Sequence, residues 1–211
     1  MELYELTSAH PGLLYCLDTI PAAQDLLVNT YRRGGKLLLC GNGGSCADCD
    51  HITGELLKGF LSLREMETKD RLRIINALPE EDPDVSLLCN KLQGGLPAIS
   101  LPAQTALISA FSNDVDGSLV YAQLVWALGQ EGDTLVCLST SGNSRNVVLA
   151  AKAARAKGMK VLALTGERDS KLSELADVTV KAPSTETFRV QEYHLPIYHY
   201  LCAKIEEEFF Y

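Results

Sequence analysis

Several features that would place this chain in other protein classes are missing from its 211 residues. Basic residues are outnumbered, with 19 lysines and arginines against 27 aspartates and glutamates, so bulk charge does not favour nucleic acid or an anionic membrane. An uncharged run over residues 93–113 is broken by Pro97 and Pro102 and is not apolar enough to span a membrane. The first ten residues are acidic where a secretory signal peptide is basic. We therefore expect a cytoplasmic protein without a membrane or a direct nucleic-acid partner.

The seven cysteines do not form a recognisable framework. They are odd in number, and their single CxxC pair, Cys46 and Cys49, has no second pair with which to build a zinc ribbon. Cys40 and Cys137 stand in apolar runs typical of strands and are expected to be small core residues. This usage favours reduced thiols in a cytosol over disulfides.

The fold class follows from the alternation of short apolar runs with amphipathic segments. Strands are predicted near 36–40, 98–101, 133–138, 161–164 and 178–181, with helices between them and a long helix over about 187–210. Such alternation predicts an α/β protein, a three-layer αβα sandwich with a mainly parallel central sheet of the flavodoxin-like type. The whole chain, 1–211, is expected to be one domain.

Two segments stand apart from this alternation. Residues 1–35 are expected to hold N-terminal helices that precede the first strand. Residues 61–95 are rich in charge and contain Pro79 and Pro83, which predicts an exposed helical insertion. A lid and an oligomer contact are alternatives for the insertion, and a solvated surface decoration is the favoured interpretation.

Two predicted strands end in turns of small residues. Residues 36–40 lead into GNGGS (41–45), and residues 133–138 lead into STSGNS (139–144). Neither turn matches the dinucleotide fingerprint or the P-loop. Small residues at a strand end, followed by a helix N-terminus, allow the backbone amides to approach an anion. One such turn is usually a helix cap, but two of them at two strand ends favour a small phosphorylated ligand.

Four polar side chains could form a metal or acid–base site. His51 and Glu55 are four residues apart and share one face of a predicted helix. Gln191 and His199 lie about 12 Å apart along a straight helix, so they could meet one ion only if Pro196 bends that helix or if two subunits contribute. Residues at such spacings are more often surface or interface residues than members of a metal or acid–base site. Asn113 and Asp114 either cap a helix or orient a sugar hydroxyl, and capping is the safer interpretation.

These motifs together resemble a known family. GNGGS, STSGNS and the run TFRVQE followed by His199 are similar to the sugar isomerase (SIS) fold, and most similar to the phosphoheptose isomerases. The resemblance implies a single SIS domain that interconverts sedoheptulose 7-phosphate and D-glycero-D-manno-heptose 7-phosphate. It also implies a homotetramer with sites between subunits, one zinc ion per site, and an acid–base pair of Glu55 and His199.

The resemblance also assigns binding residues position by position. Its zinc ligands match His51, Glu55, Gln191 and His199. Its substrate-binding residues match Asn42, Gly43, Gly44, Ser45, Asn113, Asp114, Gln191 and the phosphate-binding set Ser139, Thr140, Ser141 and Ser144.

Departures from the family pattern bear on which sugar is used. Lys58 lies three positions after Glu55 and Gly59 occupies the fourth, where the family has a basic residue; Phe188 stands where some members are polar. Two alternatives therefore accompany the expected reaction: isomerisation of another phosphosugar, and a non-catalytic SIS domain that binds sugar phosphates or acts as a scaffold for a replication initiator.

Overall fold

The computed structural model describes residues 2–211 and contains a five-stranded sheet between layers of helices. The strands are β1 (Leu37–Gly41), β2 (Ala98–Ser100), β3 (Thr134–Leu138), β4 (Lys160–Thr165) and β5 (Val178–Lys181). They lie side by side in the order β2-β1-β3-β4-β5, and every neighbouring pair is parallel. The predicted αβα sandwich is confirmed.

The helices follow the predicted alternation. They are α1 (Leu3–Ala9), α2 (Thr19–Arg32), α3 (Gly44–Leu57), α4 (Thr68–Ala77), α5 (Val85–Lys91), α6 (Thr105–Phe111), α7 (Val120–Leu128), α8 (Arg145–Ala156), α9 (Lys171–Leu175) and α10 (Thr187–Phe210). Helix α10 continues through Pro196 as one element.

The strands are buried on both faces, and alternate side chains enter different cores. On β1, Leu37 and Leu39 pack in a cluster with residues of α2, α3 and α10, whereas Leu38 and Cys40 pack with residues of α7 and α8. Strand residues point alternately to the two faces of a sheet, so one short apolar run supplies both cores. Cys40 and Cys137 are fully buried neighbours on β1 and β3, as predicted, and all seven cysteines are free.

The strand order determines where a ligand can bind. The chain passes from β1 outward to β2, then returns to the other side of β1 for β3. A parallel sheet that changes direction in this way leaves a crevice at the carboxyl ends of the strands beside the switch point. Both small-residue turns, 41–45 after β1 and 139–144 after β3, lie at this edge.

The charged segment 61–95 is attached to the domain by a buried ion pair. Helix α4 in this segment has no buried residue, but Arg64 just before it is 1% exposed and donates to Glu206 of α10 at 2.7 Å. We call Arg64 and Glu206 the lock. The roles proposed for this segment, and the single-domain boundary, remain predictions.

Among residues 2–211, no helix combines the length and the apolar character that crossing a bilayer requires.

Candidate active site

Helices α3 and α10 run in parallel against each other and bring together residues that are far apart in sequence. Gln191 lies against Gly44 at the start of α3. One turn or more further on, Tyr198 contacts Asp48 and His51, and Glu206 accepts hydrogen bonds from Phe60 and Leu61 just after α3 ends. A single chain therefore aligns the two predicted halves of the site.

Three of the predicted side chains form one cluster, which we call the site cluster: His51, Glu55 and His199. The Nε2 atom of His51 lies 3.4 Å from Oε1 of Glu55 and 3.5 Å from Nε2 of His199. The Glu55 side chain is 15% exposed and that of His51 is 42% exposed, so the cluster is open to a small ligand. Lys58 places its Nζ 3.4 Å from Oε2 of Glu55, which adds a cation beside the carboxylate.

The surroundings of His199 favour its neutral form. Burial lowers the pKa of the His199 imidazole, the neighbouring His51 lowers it further, and Glu55 raises it. The ring of Phe60 packs over it at 5.5 Å between centroids. A neutral imidazole can accept a proton or bind a metal ion through its free nitrogen.

Gln191 contacts the start of α3, whereas His199 contacts His51 further along that helix. A side chain at position 44 would meet the Gln191 amide, because an added Cβ on Gly44 would lie 2.4 Å from its Nε2 atom. Glycine at position 44 therefore allows Gln191 to approach the turn after β1. Gln191 and His199 both lie on α10, which contains Pro196, and their binding of one ion stays a prediction.

The donor chemistry of the site cluster suits zinc. Two ligand atoms of a tetrahedral zinc site with bonds of about 2.0–2.1 Å are separated by about 3.3 Å, and His51 has two neighbouring donors at 3.4 and 3.5 Å. Within residues 2–211, however, no group of three or more His, Cys, Asp or Glu is already arranged to hold a metal. The residue types and paired spacings fit the ion, and the predicted zinc site stays a prediction.

The hydroxyl groups of the turn after β3 have two different surroundings: some bond within the turn, and others line a cavity. Ser139 is buried and donates to Ser144 at 3.1 Å, which stabilises the turn from beneath. Gly142 has a φ of 63°, a left-handed conformation that favours glycine. Thr140 and Ser141 instead line a cavity of about 180 Å³. These two hydroxyls are the members of the predicted phosphate set that reach open space there.

The same cavity contains residues that motif reasoning missed. Arg168, after the end of β4, lines it together with Ser184 and Thr185. The position of Arg168 after a third parallel strand is the signal that could have indicated it, since ligands gather at that edge of such sheets.

The turn after β1 is tied to the turn after β3. Asn42 and Asn146 exchange two side-chain hydrogen bonds of 2.8 Å each. Gly43 has a φ of 58°, and Ser45 is buried in the first turn of α3. Asn42 therefore acts within the site at least as a link between the two turns.

Asn113 and Asp114 lie apart from these contacts in a single wide helical turn over residues 112–116. Both are exposed, and the Asn113 amide donates to Asp114 at 2.8 Å. Their predicted role in orienting the substrate stays a prediction.

Comparison with known proteins agrees with this architecture. The SIS domain family matches residues 90–166. The phosphoheptose isomerase of Rhodospirillum rubrum is 34% identical over 192 residues, covering 91% of this chain and 87% of that protein. That of a Roseiflexus species is 37% identical, covering 90% and 82%.

A solved structure extends the similarity to three dimensions. The phosphoheptose isomerase of Neisseria gonorrhoeae superposes with a TM-score of 0.74 at 30% identity, covering 98% of this chain and all of that one. Sequence identity above 30% over nine-tenths of the chain, with the sheet and the helix pair described above, shows that this chain belongs to the phosphoheptose isomerase family of SIS-domain proteins.

Proposed function

We propose that this protein is a phosphosugar isomerase that converts sedoheptulose 7-phosphate to D-glycero-D-manno-heptose 7-phosphate. Its family membership supports the reaction class. The observation that carries the proposal is the convergence of Glu55 and His199 on His51. The cavity lined by Thr140 and Ser141, after β3, supports it as a place for the phosphate.

The reaction moves hydrogen between adjacent carbons without gain or loss of atoms. Glu55 takes a proton from C1 of the open-chain ketose, and the electron pair moves through the C1–C2 bond onto the carbonyl oxygen to form an enediolate. His199 moves the hydroxyl proton from O1 to O2, and Glu55 returns its proton to C2, which gives the aldose. A positioned acid or base of this kind contributes roughly 10²–10⁴-fold.

The phosphate end of the sugar supplies binding energy that positions the reacting carbons. Thr140 and Ser141 donate hydroxyl hydrogen bonds, and the N-terminus of α8, a helix of 12 residues, directs its amides toward the same turn. Arg168 adds a cation to the cavity, which Glu167 and Asp169 also line.

Zinc is the metal that the donor set favours. His51, Glu55, Gln191 and His199 would hold it, and when bound it supplies positive charge that stabilises the oxygen on which negative charge develops. The imidazoles of His51 and His199 and the carboxylate of Glu55 are donors of the types that zinc commonly takes.

We also propose that the protein works as a homotetramer with sites between subunits. The site cluster is half-open in one chain, with His51 42% exposed, so a second subunit could close it. The mass of the purified protein in solution, measured by light scattering, tests this part of the proposal.

The test of function is turnover by the purified protein in D₂O, followed by NMR, with pentose, hexose and heptose ketose phosphates offered separately. Sedoheptulose 7-phosphate is expected to react fastest. The aldose is expected to carry deuterium at C2 to the extent that the proton on Glu55 exchanges with D₂O before it returns to the sugar. The His199→Ala variant is expected to lose turnover while still binding the sugar phosphate. A folded wild-type protein that turns over no member of the panel, with or without zinc, contradicts the proposal and favours a non-catalytic binding domain.

A further inference from the structure

The phenol of Tyr198 links two polar side chains of α3. Its oxygen lies 3.2 Å from Oδ1 of Asp48 and 3.0 Å from Nδ1 of His51. Tyr198 is only 2% exposed, and its ring packs edge-on against the His51 ring at 5.5 Å between centroids. The hydroxyl is therefore held in place beneath the site cluster rather than free to rotate toward solvent.

The hydrogen bonds that join Asp48, Tyr198 and His51 have one consistent arrangement of hydrogens when Asp48 is ionised. A carboxylate only accepts, so the Tyr198 hydroxyl donates to Asp48 and turns a lone pair toward His51. A phenol is a much weaker acid than a carboxyl group, so Tyr198 keeps the proton that it donates to Asp48. The other Asp48 oxygen, Oδ2, is buried and has no partner among residues 2–211, which leaves Tyr198 as the donor to this carboxylate.

The consequence falls on the opposite nitrogen of His51. Because the Tyr198 oxygen accepts this hydrogen bond, Nδ1 of His51 must carry the hydrogen. In a neutral imidazole the other nitrogen then carries a lone pair. That nitrogen, Nε2, is the atom 3.4 Å from Glu55 and 3.5 Å from His199.

We propose that Tyr198 is a positioning residue that keeps the proton of His51 on Nδ1 and so presents the Nε2 lone pair to the site cluster. Its consequence for catalysis and metal binding rests on the proposed function, because that lone pair serves the reaction only as a metal ligand or proton acceptor. Partners that fix the second nitrogen of a ligating histidine commonly change metal affinity about 10–100-fold when they are removed.

The direct test is the ¹⁵N NMR spectrum of the metal-stripped wild-type protein near pH 8, with His51 assigned by comparison with His51→Gln. The expected spectrum shows the imidazole hydrogen of His51 on Nδ1. A spectrum with the hydrogen on Nε2 overturns the inference. This measurement needs no variant at Tyr198 to fold, and it needs neither zinc nor substrate.

The Tyr198→Phe variant removes the hydroxyl and retains the ring. The matched control is Tyr200→Phe, which removes a hydroxyl from another buried tyrosine of α10, one that donates to Gln24 away from the site cluster. In Tyr198→Phe, the hydrogen of His51 is expected to move toward Nε2, where Glu55 can accept it, and zinc affinity is expected to fall about 10–100-fold. Tyr200→Phe is expected to match the wild type in both measurements.

A Tyr198→Phe protein with the wild-type His51 tautomer contradicts the inference. The outcome for the proposed function is separate. A wild-type protein that lacks isomerase activity but shows the Nδ1 hydrogen refutes the function and leaves the positioning role, whereas an active enzyme with the Nε2 hydrogen refutes the positioning role alone.

Discussion

The interface between α3 and α10 carries two groups of charged and titratable side chains that are built in opposite ways. In the lock, Glu206 is 1% exposed and accepts hydrogen bonds from Arg64 at 2.7 Å and from the backbone amides of Phe60 and Leu61 at 2.8 Å each. In the site cluster, the nearest partners of Glu55, the His51 and Lys58 side chains, lie 3.4 Å away. One carboxylate is fully satisfied, and the other retains capacity for a ligand.

The difference shows how the same pair of helices can be both rigid and reactive. Arg64 also donates to the backbone carbonyls of Leu56 at 2.7 Å and Glu55 at 2.9 Å. The lock thereby holds the last turn of α3, on which Glu55 stands. Satisfied buried groups stabilise a structure, whereas an incompletely paired carboxylate at an open site is available for chemistry.

The largest effect is expected from Glu55→Gln, which keeps the size of the side chain but removes its basicity. Isomerase kcat should fall roughly 10²–10⁴-fold, because an amide cannot take the C1 proton. The free energy of unfolding should change little, since Glu55 has no short hydrogen bond to lose. Steady-state kinetics and urea unfolding measure the two quantities. Retained kcat would remove Glu55 from the proton transfer.

The reverse pattern is expected for Arg64→Ala. Removing one partner of a buried ion pair leaves the Glu206 charge uncompensated, and such changes typically cost about 3–5 kcal/mol of unfolding free energy. The matched control is Lys69→Ala, which removes an exposed pair with Glu67 and should leave stability unchanged. Urea unfolding compares the variants, and equal stability of Arg64→Ala and wild type would show that the lock contributes nothing.

Lowering the pH should reduce the stability that the lock contributes to the fold. Burial raises the pKa of Glu206, but the hydrogen bonds from Phe60 and Arg64 outweigh it and hold the pKa below its ordinary value of 4.5. A carboxyl whose folded-state pKa is lowered stabilises the fold above its ordinary pKa and loses that contribution as the pH falls through the lowered value. Wild type should therefore lose stability as the pH falls below 4.5.

The Glu206→Gln variant isolates this contribution. Asp177 also has a lowered pKa, so the variant should retain part of the acid dependence and lose the part that belongs to Glu206. Unfolding free energies measured for both proteins between about pH 3 and pH 7 give the difference. A constant difference across that range would contradict the lowered pKa.

The smallest effect is expected from Arg168→Ala, which contrasts an exposed arginine with the buried Arg64. Arg168 lines the cavity of Thr140 and Ser141, and an exposed charge pair contributes about 0.2–1 kcal/mol. KM for the phosphosugar should rise by up to about fivefold, with kcat and stability unchanged, and the difference should shrink at high salt. A KM that stays unchanged at low salt would exclude a contact between Arg168 and the phosphate.

Much of the architecture could be predicted because its signals are local. The apolar runs at 36–40 and 133–138 and the small-residue turns after them indicate strand ends without reference to any distant residue. His51 and Glu55 share a helix face by spacing alone. The sequence could not reveal that Asn42 pairs with Asn146, because such side-chain contacts depend on how separate elements pack.

The amino-acid sequence by itself determined the alternation of strands and helices, the parallel sheet and the edge at which two glycine- and serine-rich turns meet. Only the tertiary structure decided that His199 lies beside His51, 148 positions away, that Tyr198 lies between Asp48 and His51, and that Arg64 is buried against Glu206. The physical reason is that helical and strand periodicity report which face of an element is apolar. The axial offset between α3 and α10 is set by the packing of many side chains at once.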